Sequence, residues 1–286
     1  MTSSIPEPIQ SQESIGLHKI VVFIAMSFGM FMAILDIQIV SSSLAEIQAG
    51  LAASSEEISW VQTSYLIAEV IMLPLSGFLG RLLSTRVFFT LSAIGFTITS
   101  VLCATATSIG EMILYRALQG FIGGGIIPSV FVASYVLFPP SKRPIVTPIV
   151  GLVATLAPTI GPTVGGYICH LSSWHWLFLI NVPFGIIISI LAWKLIDFDK
   201  ADPSLMKKFD WLGLISMATF LGTLEYVLEE GARHDWLSDR LIRDLFIIMI
   251  LAAALFFWRA FTAKEPIVDL STFSNFNFSA ASIFSF

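Results

Sequence analysis

Few ionisable side chains lie inside the long apolar stretches of this sequence, and three of them are candidates for chemistry. They are Asp36, Glu69 and Arg116, and each is surrounded mainly by hydrophobic residues. A charge in such a stretch costs several kcal/mol if the stretch crosses a membrane, unless the charge is paired or reaches water. Ionisable residues at such positions are typical of proton and ion pathways, so these three are candidates for proton coupling.

Asp36 and Arg116 lie at similar depths. Asp36 comes four residues before Val40, where its apolar stretch ends, and Arg116 comes five residues after Glu111. At about 1.5 Å per residue, they are about 6 Å and about 8 Å from the same membrane face, since their helices run in opposite directions. We expect an ion pair or a shared aqueous cavity. The alternative is that one or both side chains extend to the interface.

Glu69 lies in the middle of its stretch, near Gln62 and Tyr65. A carboxylate at that depth is costly to keep charged, so this side chain could bind and release a proton. The alternative is a neutral, hydrogen-bonded packing role, which we also favour for Glu225 in a later stretch. The four histidines are scattered, so we predict no metal site and no cofactor. Cys103 and Cys169 are predicted to be separate packing thiols, with a disulfide as the other option.

A segment rich in proline and glycine reads APTIGPTVGG, inside another apolar stretch. Its small and helix-breaking residues are Ala157, Pro158, Gly161, Pro162, Gly165 and Gly166. Such a segment would be a poor helix in water but is tolerated in a membrane, where neighbouring helices satisfy the freed backbone groups. Three of these residues are spaced four apart, so they form one smooth face that another helix can approach closely.

Composition and hydropathy identify the elements that must position these residues. Hydrophobic residues make up 56% of the chain and charged residues 12%, and the mean hydropathy is +0.85. This is typical of an all-α polytopic membrane protein, and the net charge of −5 argues against a nucleic-acid partner. The apolar stretches long enough to span are Ile20–Val40, Ile58–Phe78, Val87–Ala106, Met112–Phe138, Ile145–Ile168, Trp174–Ile196, Trp211–Leu228 and Leu245–Phe261. A ninth begins near Phe276.

The distribution of basic residues predicts the orientation. With the N-terminus inside, eleven of the 15 Lys and Arg residues fall on the inner side, three on the outer side, and Arg116 within a span. Basic residues concentrate in cytoplasmic loops, so a cytoplasmic N-terminus is predicted.

Three segments, Leu114–Gly125, Leu35–Ile47 and Ala157–Gly166, each contain a motif known from one family. They resemble, in that order, the fourth-helix motif of the major facilitator superfamily and the first-helix motif and fifth-helix signature of its drug:proton antiporters. The segments Trp174–Gly185 and Phe209–Gly231 look like parts of the fourteen-helix, EmrB/QacA-type branch. In the fourth-helix motif the matching residues are Arg116, Gln119, Gly120 and Gly123.

The inner-loop motif of that family is only partly present. Gly77, Leu79 and Arg86 match it, but Arg81 stands where the acidic residue is usual. This substitution puts in doubt an inner gate made by that acid and a helix dipole.

The resemblance implies an organisation and a mechanism. The expected units are a disordered cytoplasmic tail (1–17), an N-terminal six-helix bundle (18–197), a loop with two linker helices (198–262) and the start of a truncated C-terminal bundle (263–286). The two bundles would alternate access to a central site. Asp36 and Arg116 would take part in proton coupling, and the proline- and glycine-rich helix would control closure and leak.

The expected function is therefore proton-coupled efflux of amphipathic drugs across the bacterial inner membrane, with this chain as the N-terminal part. The partners would be the small substrate, protons and the lipid bilayer, and by resemblance a periplasmic adaptor and an outer-membrane channel. Two alternatives stay open: an exporter of one metabolite such as a siderophore, and a non-transporting fragment that binds or regulates a full-length partner. An intramembrane enzyme is disfavoured, because the chain has no HExxH pair and no cluster of catalytic residue types.

Overall fold

The computed structural model of the protein describes residues 16–263 and 266–285. Twelve α-helices run through the described chain. They are α1 (Leu17–Ser42), α2 (Leu44–Leu51), α3 (Trp60–Leu83), α4 (Thr85–Ala104), α5 (Ile109–Gly123), α6 (Ile126–Leu137), α7 (Arg143–Leu171), α8 (His175–Leu179), α9 (Asn181–Leu195), α10 (Trp211–Glu230), α11 (Arg240–Thr262) and α12 (Phe276–Ser285). Three short 3-10 helices span Pro203–Lys208, Trp236–Ser238 and Leu270–Ser274. Residues 1–15 of the predicted tail lie outside the described residues.

Eight helical segments of the described chain are long and apolar enough to cross a membrane. They correspond one to one with the eight predicted stretches, so the predicted all-α membrane fold is confirmed. Two of the eight are not continuous helices: α5 and α6 form the fourth span around Gly124, and α8 and α9 form the sixth around Ile180. A further helix, α12, begins at Phe276, where the ninth stretch was predicted to start.

The helices from α1 to α9 share one core. Buried side chains such as Met26, Met30, Tyr65, Phe89 and Phe178 belong to a single cluster. Within it α1 packs against α7 and α9, α3 against α5, and α4 against α5 and α9. The first six spans therefore form one packed unit.

The smooth face predicted on α7 is where α7 meets α1. Ala157, Gly161 and Gly165 are buried, although α7 contains internal prolines and most of its remaining surface is exposed. A Cβ atom at Gly161 would lie 2.5 Å from Cβ of Gln38, and one at Gly165 would lie 2.9 Å from the hydroxyl of Ser42. Since such separations are too short for a side chain, glycine is what allows this close approach.

The last two spans, α10 and α11, pack against each other and against α3. Asp210 caps the start of α10 by accepting a hydrogen bond from Gly213 N at 2.9 Å. The same carboxylate pairs with Arg259 of α11, 2.8 Å away. On α3, the ring of Trp60 lies 5.3 Å from that of Tyr226 of α10. The helices α10 and α11 are thus joined to each other by an ion pair and to the bundle by aromatic packing.

Candidate functional site

The structure brings Asp36 and Arg116 into direct contact. Asp36 is on α1 and Arg116 on α5, and Arg116 Nη1 lies 2.7 Å from Asp36 Oδ2. Both side chains are 0% exposed. Neither side chain extends to the interface, so the pair belongs to the interior of the bundle. Two charges so enclosed offset each other, and removing either one would leave a buried charge without its partner.

Further polar side chains complete a network around this pair. Asn181 of α9 donates from Nδ2 to Asp36 Oδ1 at 2.6 Å. Gln119 accepts from Arg116 Nη1 at 2.7 Å and donates to Ser100 Oγ of α4 at 2.9 Å. The network therefore joins four spans: the first, third, fourth and sixth.

The remaining faces of the guanidinium are also covered. Arg116 Nε donates to the backbone oxygen of Val61 at 3.3 Å. Its Cζ lies 4.1 Å from the ring centre of Tyr65 and 5.9 Å from that of Phe178, within the range of a cation–π interaction. Its Nη2 is buried without a hydrogen-bond partner. Because Asp36 supplies the neutralising charge, protonating that carboxylate would leave a buried cation without a counter-ion.

The glycines of the fourth-helix motif allow α5 to approach its neighbours closely enough to form this network. A Cβ atom at Gly120 would overlap the backbone oxygen of Tyr65 on α3, and one at Gly123 would lie 2.7 Å from the ring of Phe96 on α4. Arg116 and Gln119 therefore lie on a helix that packs closely on two sides, against the backbone of α3 and against the ring of Phe96 on α4.

Glu69 lies apart from the ion pair. It is 8% exposed on α3, one helical turn beyond Tyr65. Its backbone oxygen is close to Gly124, where the fourth span is interrupted. Among the described residues no ion pair joins Glu69 to Arg116. The predicted proton-coupling residues are thus one contact pair and one separate buried acid.

An acid from another part of the chain lies beside the altered inner-loop motif. Asp199, in the segment after α9, accepts hydrogen bonds from Thr85 N and Thr85 Oγ1, both at 2.7 Å. It thereby caps the first turn of α4. Arg81 Nε donates to Gly77 O at 3.3 Å, and the Arg81 carbonyl accepts from Asp202 N at 3.0 Å. The loop after the sixth span is therefore joined to the turn between α3 and α4.

The other two inner-loop residues have packing contacts. Arg86 lies over the ring of Trp193, 5.3 Å from its centre. Leu79 packs against a hydrophobic cluster that is separate from the core of α1 to α9. This cluster includes side chains of α10 and α11.

An apolar cleft of about 330 Å³ lies between α1 and α7, on the half of these helices nearer their N-termini. Its lining is almost entirely hydrophobic and rich in phenylalanine: Phe23, Ile24, Ser27, Phe28, Phe31, Ile149, Val153 and Leu156. Such a surface can hold the apolar part of a small molecule.

Sequence reasoning did not assign roles to several residues of these sites. Asn181 lies within the motif Trp174–Gly185, but nothing in its spacing indicated a contact with Asp36. Ser100 is one of many small polar residues in the third span. Asp199 follows the predicted end of the bundle, and its distance in sequence from Thr85 hid their contact.

Comparison with known proteins identifies the family. The model of the Major Facilitator Superfamily matches residues 26–286, and the chain belongs to this superfamily. Its members are membrane transporters, so the chain is not an enzyme.

Two curated relatives are similar over nearly the whole chain. The colistin resistance protein EmrB of Acinetobacter baumannii is 51% identical over 265 residues, which cover 93% of this chain and 52% of that protein. The multidrug export protein EmrB of Escherichia coli is 31% identical, covering 92% of this chain and 51% of that protein. The chain thus spans about half the length of these relatives.

A solved structure shares the fold. The crystal structure of a bacterial homologue of the human lysosomal transporter Spinster, in an inward-facing and occupied conformation, aligns with a TM-score of 0.57. The sequences are 17% identical, and the match covers 89% of this chain and 64% of that one.

Proposed function

We propose that this chain is the N-terminal part of a proton-coupled exporter of amphipathic drugs. It would act in the bacterial inner membrane, with its N-terminus in the cytoplasm, by alternating access between two helical bundles. The observation that carries the proposal is the fully buried pair of Asp36 and Arg116. An intramembrane ion pair of this kind is costly, and proton coupling gives it a use.

Proton binding by Asp36 would drive the conformational change. Protonation removes the negative charge that Arg116 neutralises, which raises the energy of the conformation that encloses the pair. A conformation in which Arg116 reaches water or another acid then becomes relatively more favourable. Glu69, buried on the neighbouring helix, is the second proposed proton-binding group. Because it makes no ion pair with Arg116 among the described residues, it would be a site distinct from the pair but close enough to sense its charges.

The names of the relatives and the apolar cleft support an amphipathic substrate. One relative is named for colistin resistance and one for multidrug export. The phenylalanine-rich cleft between α1 and α7 would contact the apolar part of such a molecule. In a Gram-negative cell, a periplasmic adaptor and an outer-membrane channel would complete the export route.

The test is ethidium efflux driven by a pH gradient in cells that lack their own pumps. The chain would be assayed alone and joined to the second half of the Acinetobacter baumannii relative, at matched membrane levels. We expect efflux only from the joined protein, because alternating access needs two bundles. Efflux from neither form would contradict the exporter proposal.

The residue-level test compares carboxylates within the joined protein. Asp36→Asn should abolish proton-driven efflux and leave membrane insertion intact. Glu225→Gln, which neutralises a half-buried acid on α10, is the matched control and should retain efflux. Retained efflux in Asp36→Asn would remove Asp36 from the mechanism.

A further inference from the structure

Asn181 is a buried polar side chain that the proposed mechanism does not use. It is 2% exposed and is the first residue of α9. Its Nδ2 lies 2.6 Å from Asp36 Oδ1 and 3.4 Å from Ser100 Oγ. Buried amides are normally hydrogen-bonded, but this one is bonded to the ionisable group that the mechanism needs.

Backbone packing places Asn181 against Asp36. The sixth span is interrupted at Ile180, and α9 restarts with Pro183 in its first turn, where a missing N–H costs little. One turn further, a Cβ atom at Gly185 would overlap Thr97 of α4. Asn181 meets Ser100 and Gly185 meets Thr97, so α9 and α4 run antiparallel in fixed register. The short side chain of Asn181 therefore has little freedom to leave Asp36.

The two oxygens of Asp36 have their shortest hydrogen bonds to different helices. Oδ2 accepts from Arg116 of α5 at 2.7 Å, and Oδ1 accepts from Asn181 of α9 at 2.6 Å. A longer bond to Oδ1, 3.5 Å, comes from Gln119 of α5. Arginine has only hydrogen-bond donors. It can therefore donate to the charged carboxylate but cannot accept a hydrogen bond from the O–H group of the protonated acid. Asparagine carries both a donor and an acceptor on one amide. A half-turn of that amide would present its carbonyl oxygen to a protonated Asp36.

We propose that Asn181 is a positioning residue of the coupling site, which keeps Asp36 hydrogen-bonded both before and after proton binding. As the carboxylate loses its attraction to Arg116, Asn181 would hold it against α9 instead. The carboxyl group would then change partner helix during the proton cycle without losing its orientation. The role of Asn181 in transport rests on the proposed function, but its hydrogen bond to Asp36 does not.

The contact is tested by infrared difference spectroscopy of the joined protein in lipid, without any transport. Asp36→Asn identifies the carbonyl band that appears when Asp36 is protonated. Asn181→Leu removes both donor and acceptor at similar size, and should move that band to the higher frequency of a carboxylic acid without that hydrogen bond. Ser189→Ala, on the same helix, removes a hydroxyl that bonds only to its own helix at Gly185 O, and should leave the band unchanged. An unmoved band in Asn181→Leu would overturn the proposal.

A second variant keeps the test decisive if Asn181→Leu does not fold. Asn181→Asp has the same shape but donates only when protonated, so it should also move or split the Asp36 band. Asn181→Gln retains the amide, so its Asp36 band should lie close to the position in the unmutated protein. If Asn181→Asp leaves the band where it is in the unmutated protein, the amide chemistry is not what holds Asp36.

Transport separates the inference from the proposed function. In Asn181→Leu we expect proton-driven efflux to fall by about tenfold or more, as for loss of a hydrogen bond to a charged group. Drug exchange without a pH gradient should be retained. A moved infrared band with no efflux even from the unmutated joined protein would refute the exporter and leave the positioning role standing. Full proton-driven efflux in Asn181→Leu would overturn the positioning role alone.

Discussion

Two arginine–aspartate pairs in this chain have nearly the same contact distance and very different surroundings. Arg116 and Asp36 are 2.7 Å apart and both are 0% exposed, inside the six-span bundle. Arg259 and Asp210 are 2.8 Å apart, but the Arg259 side chain is 27% exposed, where α10 begins and α11 ends. The first pair connects helices of the packed core, and the second connects two helices that flank it.

The difference shows that the same contact distance can belong to a fully enclosed pair or to a partly solvated one, and that the cost of losing a partner differs between them. Arg259 retains access to water, so losing its partner leaves a charge that water can still solvate. Asp210 also keeps a bond from Gly213 N, which caps α10 whatever Arg259 does. Arg116 has no access to water, so a change of charge on Asp36 acts directly on the stability of the bundle.

The largest expected effect is the loss of protein stability when either ion pair is broken. Arg116→Leu would leave Asp36 as an unpaired buried carboxylate, and should lower the unfolding free energy by about 3–5 kcal/mol. Arg259→Leu should cost less, about 1–3 kcal/mol, because the Asp210 carboxylate that it leaves is only 5% exposed but still accepts the hydrogen bond from Gly213 N. Denaturation of the purified chain in detergent measures both. The double variant Arg116→Leu with Asp36→Asn should recover part of the loss, and equal losses in the two single variants would contradict the comparison.

The next effect concerns how closely the helices pack in the two regions. Gly120→Ala places a methyl group against the backbone of Tyr65, and should destabilise the bundle by about 1–3 kcal/mol. Gly222→Ala on α10 is the matched variant, since its new methyl group would meet Ile67 and Ile71 at an ordinary 3.5 Å. It should be neutral or stabilising by up to about 1 kcal/mol, because alanine favours the helix. Thermal unfolding of both variants provides the measurement, and a larger loss at Gly222 would reverse the expected order.

A smaller effect is the response to salt. Dissolved ions screen an ion pair that is partly open to water more than one that is fully buried, and only the Arg259 side of its pair, 27% exposed, is open to water. Raising the salt concentration should therefore speed hydrogen exchange at the start of α10, near Asp210. The change corresponds to a loss of at most about 1 kcal/mol in the local unfolding free energy. Exchange around Asp36 should not change. Arg259→Leu should remove the salt response, and a response that persists there would assign it to other charges.

The smallest effect belongs to a fully exposed loop. Hydrogen bonds from Ser204 lower the pKa of Asp202 from its ordinary value. A lowered pKa in the folded state means that the stabilisation is present above the unfolded pKa and is lost as pH falls through the folded one. Acidification should therefore loosen the turn at Ser204, as measured by hydrogen exchange of that segment. Asp202→Asn should show no such acid response, and an equal response there would exclude Asp202 as the cause.

Much of this architecture was predictable from hydropathy. The eight spans follow from the lengths of the apolar stretches, and the approach of Asp36 to Arg116 follows from helix rise and alternating direction. The smooth face of α7 follows from the spacing of Ala157, Gly161 and Gly165. In each case the pattern is local, or requires only a count of residues along one axis.

What escaped prediction depends on rotation and register between distant helices. Apolar residues surround Asn181, so hydropathy does not reveal which side of α9 faces Asp36. The partner of Asp210 lies 49 residues away, and neither residue stands out in a segment that contains several other charges. The interruptions at Gly124 and Ile180 were also missed, because a hydrophobic stretch does not report whether its helix is continuous.

The separation of Asp36 from its partners along the chain has a consequence for biosynthesis. Arg116 is 80 residues after Asp36, and Asn181 is 145 residues after it. At about 5–20 residues per second, the ribosome adds Arg116 about 4–16 s after Asp36, and Asn181 about 7–29 s after it. During that interval the first span carries an acid that lacks both partners, and an unpaired acid is costly in the hydrocarbon core of the bilayer. The insertion machinery would therefore have to shelter the first span until the fourth and sixth have been made, so this helix is expected to be among the last to be released into lipid.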